Sequence, residues 1–211
     1  MTAQGHAFAT DLVVLVADKD MEAVLEALLK RPVELGIRTI TYNVFVHPRR
    51  DPGCRREAAE FLRPLSVNYR CALVLFDHEG SGGERTAPLA LADERKLLLE
   101  RNGWPGRADV VVVAPELEVW VWTSSPDVPR CLGWEGREPP LRQWLADTGR
   151  WSPGATKPPR PKEAVLDALR QARKPRSSAI YRDLAQSVGL LGHTEPSFLR
   201  LTGALRTWFL P

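Results

Sequence analysis

Ala72-Leu73-Val74-Leu75-Phe76-Asp77-His78-Glu79-Gly80-Ser81-Gly82-Gly83 is the stretch on which the reading of this chain turns. A continuous apolar run that breaks into two acids one residue apart, followed by glycines, is the pattern of a buried parallel strand delivering carboxylates to the carboxyl edge of a sheet. Open α/β folds keep their chemistry at that edge. Strand period is two, so Asp77 and Glu79 leave an extended backbone on the same side and can converge on one divalent cation. The competing reading is the start of a solvated turn. His78, between the acids, is expected on the opposite face in a packing or supporting role. Residues 80–83 lack the Gly-Lys-Ser/Thr of a Walker loop and read as a flexible rim beside the metal.

Outward from this strand, strand and helix alternate. Residues 11–17, 38–46 and 109–114 supply three more short strands, with 69–76 as the fourth. Helices are expected over 18–30, where Met21, Val24, Leu25, Leu28 and Leu29 fall at helical spacing, and over 54–65 and 89–101. Residues 47–53 read as a loop that prolines keep extended. This order predicts one mostly parallel α/β sheet with helices on both faces. Strand 69–76 is placed beside 11–17, so that Asp18 and Asp77 share an edge. After Pro115, tryptophans at 120, 122, 134, 144 and 151 read as pins for an irregular segment, and 152–161 as a linker. Helical patterns follow near 161–173, 177–188 and 195–209, the last closing on Trp208 and Phe209 as docking residues. The expected division is an α/β domain over 1–150 and a linker with a helical extension over 151–211, packed on it.

The 211-residue chain is 44% hydrophobic and 26% charged, ordinary values for a globular protein. Three cysteines, Cys54, Cys71 and Cys131, show no Cys-x-x-Cys spacing, which argues against a disulfide framework or a zinc knuckle and favours a reducing cytoplasm. Residues 1–10 lack a basic-then-apolar leader, and no apolar run approaches the roughly 18 residues of a membrane span. Neither secretion nor a membrane partner is expected. Net charge is only +3, but residues 137–182 carry eleven Lys or Arg against four Asp or Glu. Within them Arg170, Arg173, Lys174 and Arg176 have the footprint of a surface that meets nucleic-acid phosphate, or of a solvated helix face. Arg49 and Arg50, beside His47, are a second candidate for gripping phosphate.

The order of these pieces resembles the TOPRIM-like proteins, specifically the TOPRIM-related families of bacterial defence islands near the OLD-family nucleases. The resemblance rests on Val16-Ala17-Asp18-Lys19-Asp20 ending the first strand, on Phe76-Asp77-His78-Glu79-Gly80 in place of Asp-x-Asp, and on Pro115-Glu116-Leu117-Glu118-Val119-Trp120 as Pro-x-x-Glu-x-Trp. Pro161-Lys162-Glu163-Ala164 and the 181–198 region are similar to the helical C-terminal part of those families. The whole resembles a small accessory protein of the methylation-associated defence systems. That implies a Mg²⁺- or Mn²⁺-dependent, nuclease-like site acting on DNA or RNA in the cytoplasm, with other defence-system proteins as partners. Asp77 and Glu79 would hold the ion, Asp18 would complete the shell or act as base, and Glu118 would be a further ligand.

Clustered carboxylates suit such chemistry because phosphodiester cleavage needs charge neutralised on the non-bridging oxygens and a water of lowered pKa. The chain departs from the family pattern at Ala17-Asp18, where Glu-Gly is expected, and at Glu79, where a second Asp is expected. A catalytically silent interaction subunit, or a nucleotide-binding regulator using the same crevice, are the other classes compatible with the sequence.

Overall fold

The β-branched runs have no polar face, so they are satisfied only between two helical layers. In the computed structural model, which describes residues 8–190 and 194–211, they form four strands: β1 (Thr10–Val16), β2 (Tyr42–Val46), β3 (Tyr69–Asp77) and β4 (Ala108–Val113). Their order is β2-β1-β3-β4 and every pairing is parallel. Leu12 to Val16 and Ala72 to Phe76 are fully buried. Val16 pairs with Leu75, and Asp77 with Val113, so β1 and β3 are neighbours that end together.

The helices are α1 (Lys19–Leu29), α2 (Pro32–Leu35), α3 (Arg50–Leu62) and α4 (Pro88–Arg101). Asp18 caps α1, its Oδ1 accepting from the N–H groups of Asp20 and Met21 at 3.0 Å each, with Asp20 and Glu22 favourably placed in the first turn. Right-handed crossovers put α1 on one face and α3 and α4 on the other. The packing agrees, with α3 against α4 and α1 against a C-terminal helix. The chain steps from β1 outward to β2, then returns across β1 to β3 and on to β4. This reversal makes the carboxyl ends of β1 and β3 the switch point where open α/β sheets form a crevice. Asp18 and Asp77 stand at that point.

Two boundaries differ from the sequence reading. Strand β2 starts at Tyr42 because residues 38–41 bond elsewhere: the Arg38 N–H donates to Phe209 O and the Thr41 N–H to Asp11 Oδ2, each at 3.0 Å. The 47–53 stretch does not stay extended. Arg50 adopts a left-handed φ of 48° and α3 begins there, because Pro52 lies in a first turn whose N–H groups have no helical acceptor.

Beyond β4 a 3-10 turn (Leu117–Trp120) leads to α5 (Asp127–Cys131), α6 (Leu141–Asp147), α7 (Pro161–Ala172), α8 (Ser178–Ser187) and α9 (Pro196–Trp208). The tryptophans pin this region. Indole N–H groups of Trp120, Trp122, Trp134 and Trp151 donate to Ser197 Oγ and to the carbonyls of Pro161, Pro139 and Ala155. Helix α8 lies along α1, and α9 reaches from β4, where Arg200 binds Asp109 at 2.6 Å, to Phe209, which is fully buried. Among the described residues no helix is long and apolar enough to cross a membrane. Residues 1–7 of the 1–10 stretch and 191–193 of the 181–198 motif region lie outside the described residues.

Because Phe209 fills core space, Phe209→Ala should cost about 3–5 kcal/mol in urea unfolding. A loss below about 1 kcal/mol would show that the last helix is not part of the shared core.

Candidate metal centre

The end of β3 is built by hydrogen bonds that converge on Asp77. Its N–H donates to Asp51 Oδ1 at 2.8 Å, fixing the first turn of α3 against the strand. Its own Oδ1 accepts the Leu117 N–H at 2.8 Å, which draws the 3-10 turn after β4 over the same edge. That turn carries Glu116 and Glu118. Ligand oxygens of Asp77, Glu116 and Glu118 all lie within 4.8 Å of one another, and the group could hold a metal ion.

Each carboxylate engages another residue through one oxygen and keeps a second. Glu118 Oε1 accepts the Tyr181 hydroxyl at 2.6 Å, and Glu116 Oε2 pairs with Lys162 Nζ. Arg176 pairs with Asp20 and approaches Glu118 Oε1 to 3.9 Å, while Ser178 Oγ donates to Asp20 Oδ1 at 2.6 Å. Helices α7 and α8 thus close the site from above. Asp77 is 9% exposed and Glu118 3%, too little for bulk water to screen them.

Electrostatics follow from this crowding. Burial pushes Asp77 well above the usual carboxylate range, and Asp51, Glu118, Asp18 and Glu116 add to the shift. Burial likewise raises Asp51 and Glu118, the latter against the pull of the Tyr181 hydrogen bond. Burial opposes the Lys162 ammonium, but Glu116, Glu118 and Asp77 outweigh it and hold the lysine protonated. A set of three oxygen donors with excess negative charge fits a hard cation such as Mg²⁺, Mn²⁺ or Ca²⁺ and is a poor match for a soft one.

The residues expected at the site are distributed as follows. Asp77 and Glu118 are in the cluster. Asp18 is at the same edge and acts electrostatically on Asp77 and Asp51, but one oxygen is committed to capping α1, and it is not one of the three. Glu79 is exposed and outside the group. The strand ends at Asp77 and the chain turns, so the two-residue alternation that would align Asp77 with Glu79 stops there. The His78 ring instead meets Thr86 O at 2.9 Å.

Glu116 takes the place intended for Glu79. The signal for it was the second acid-x-acid pair, Glu116-Leu117-Glu118, directly after another buried strand. Asp51, Lys162 and Tyr181 reach the site through contacts that no local pattern announces.

Of the basic candidates, Arg176 faces the acids, Lys174 Nζ donates to Cys131 O at 2.7 Å and Arg170 pairs with Asp167 at 2.7 Å. Arg173 is exposed at the left-handed end of α7. Arg49 pairs with Glu57 at 2.7 Å, and Arg50 is exposed. Cys54 is buried and its thiol is pushed far up by burial, which removes it as a nucleophile.

Fold and site together define an α/β protein with a four-stranded parallel sheet and a buried acidic triad. Compared with protein-family models, curated proteins and solved structures, the chain has no match.

The raised carboxylates fix the sign of the pH dependence. A raised folded-state pKa contributes stability that is fully present below the ordinary values of 3.8 for Asp and 4.5 for Glu, and that is lost as pH rises through the raised values. Metal-free protein should therefore lose melting temperature as pH rises from about 4 towards neutrality. Asp77→Asn keeps the acceptor for Leu117 and should flatten that slope while raising the neutral-pH melting temperature by a few degrees. A variant with the wild-type slope would show that Asp77 does not carry the effect.

Proposed function

We propose that this chain is a TOPRIM-like component of bacterial antiphage defence whose acidic site binds Mg²⁺ or Mn²⁺ and acts on nucleic-acid phosphodiesters. The observation that carries the reading is the buried Asp77, Glu116 and Glu118 group at the switch point of a parallel sheet. When bound there, a divalent ion supplies charge neutralisation on phosphate oxygens and lowers the pKa of a water. The Asp77 main chain is fixed by its N–H donating to Asp51 Oδ1, and its carboxylate is positioned by accepting the Leu117 N–H. Asp18, at the same edge, is the residue in reach of a base role, with one methylene less than the glutamate of the family pattern. The DNA or RNA substrate, the defence-system partners and the cytoplasmic setting come from the sequence resemblance.

One observation favours a second reading, a catalytically silent interaction subunit. Lys162, Arg176 and Tyr181 already neutralise and cover part of the acidic site. A strand of nucleic acid reaches the acids only if α7 and α8 move. In the silent reading these helices stay closed and the surface they form meets a partner.

The two readings separate on purified protein incubated with plasmid, single-stranded DNA and RNA. The nuclease-like reading expects cleavage that needs Mg²⁺ or Mn²⁺ and is lost in Asp77→Asn. It also expects millimolar Mg²⁺ or Mn²⁺ to raise the wild-type melting temperature and to leave that of Asp77→Asn unchanged. No cleavage, with a melting temperature indifferent to both ions, would leave the interaction subunit as the surviving reading.

A further inference from the structure

The glycine-rich turn after β3 is fastened, not loose. Buried Ser81 donates its hydroxyl to His78 O at 2.8 Å and accepts the Gly83 N–H at 3.1 Å, while Arg55 Nε donates to Ser81 O at 2.8 Å. Two guanidinium groups from α3 press on the turn. A Cβ placed on Gly82, which has φ +75°, would lie 3.2 Å from Arg56 Nη2 and 3.3 Å from Arg55 Nη2. On Gly83 it would meet Leu91 Cδ2 at 2.7 Å and the Arg55 stem at 2.9 Å. Glycine at 82 leaves room for both guanidinium groups, and glycine at 83 for the Arg55 stem and Leu91. Arg95 of α4, itself paired with Glu94, adds a third guanidinium, its Nη1 3.4 Å from Arg55 O and its buried Nε without a hydrogen-bond partner.

Like charges gathered this way repel, and neither Arg55 nor Arg56 has a carboxylate within ion-pair distance among the described residues. Burial, with Arg56 and Arg95 as neighbours, pulls the Arg55 guanidinium below its ordinary value. The turn already holds one anionic group. Glu84 Oε1 accepts the Gly82 N–H at 2.9 Å, and the N–H groups of Glu84, Gly82 and Gly80 keep this carboxylate low. Backbone N–H groups that converge on a carboxylate form a concavity suited to other oxyanions.

We propose that residues 80–84 with Arg55 and Arg56 form a phosphoryl-oxyanion site in which the Glu84 carboxylate occupies the ligand's place until phosphate displaces it. Arg55 and Arg56 present guanidinium forks, the geometry that binds phosphate oxygens in pairs. The site opens three residues beyond Asp77 at the same sheet edge, where it would hold a phosphodiester beside the acids. That placement rests on the function proposed above; the oxyanion chemistry does not.

The test is binding in EDTA, so that the acidic triad takes no part, with pyrophosphate as one probe and a short DNA strand without terminal phosphates as the other. Arg56→Glu, an exposed position, should weaken binding at least about tenfold and flatten the DNA salt slope by about one to two units. Glu84→Gln should strengthen it about threefold or more, by removing the resident anion. A gain of affinity cannot come from misfolding. Arg101→Glu, at the far end of α4, should change little. DNA binding with the same arginine dependence assigns the source as backbone phosphate, and pyrophosphate binding alone assigns a free or terminal phosphate. Arg56→Glu and Glu84→Gln both within twofold of wild type for both probes would overturn the site, even if metal-dependent cleavage is intact. Loss in Arg56→Glu with no response to metal would uphold the site and count against the nuclease-like function.

Discussion

Several carboxylates are held close together at the buried end of one strand, and the rest of the architecture answers that constraint. An unpaired buried charge costs several kcal/mol, and a neighbouring like charge adds to it. Asp77 is surrounded by Asp51, Glu118, Asp18 and Glu116. What offsets the cost comes from distant parts of the chain: the Leu117 N–H, the Tyr181 hydroxyl, the Lys162 ammonium and the Arg176 guanidinium. The C-terminal helices are therefore bound to the sheet by polar contacts at the acidic edge as well as by apolar burial through Phe209 and the tryptophans. A cation at the triad would supply the missing compensation directly. The same logic makes the helices and the cation partial substitutes for one another, since each neutralises the same carboxylates.

The sheet order decides where this happens. Because the connections reverse direction between β1 and β3, no crossover helix covers the carboxyl ends of those two strands, and the loops after them meet in one crevice. Asp18 arrives from β1 and Asp77 from β3, and the turn after β4 folds back through the Leu117 hydrogen bond. The Gly82 turn and its arginines lie along the same rim. The proposed oxyanion site and the proposed cation site would therefore share one sheet edge.

Much of the framework was legible in the sequence, for a physical reason. The β-branched runs of β1, β3 and β4 have no polar side, so only a doubly covered parallel sheet accommodates them, and the helical spacing of Met21, Val24, Leu25 and Leu28 left little choice over α1. Asp77 is legible because it closes such a strand, and Glu118 through the Pro-x-x-Glu-x-Trp resemblance of residues 115–120. Glu116 shares the second acid-x-acid pair with Glu118, but its approach to Asp77 depends on how the chain turns after β4, and strand alternation does not reach Glu79 because the strand ends at Asp77. Lys162, Tyr181 and the inward Arg176 were out of reach: Tyr181 meets Glu118 across 63 positions and Arg176 meets Asp20 across 156, and no local periodicity encodes such contacts. The basic run 170–176 read as one surface stripe, whereas helix geometry and three separate acceptors divide it.

Whether the acidic triad holds a divalent cation is decided by anomalous diffraction from crystals grown in Mn²⁺. A manganese peak is expected between the carboxylates of Asp77, Glu116 and Glu118, with Lys162 drawn back from Glu116 to admit the ion. Crystals saturated with Mn²⁺ that show no peak there, with the Lys162 to Glu116 pair intact, would contradict the cation site.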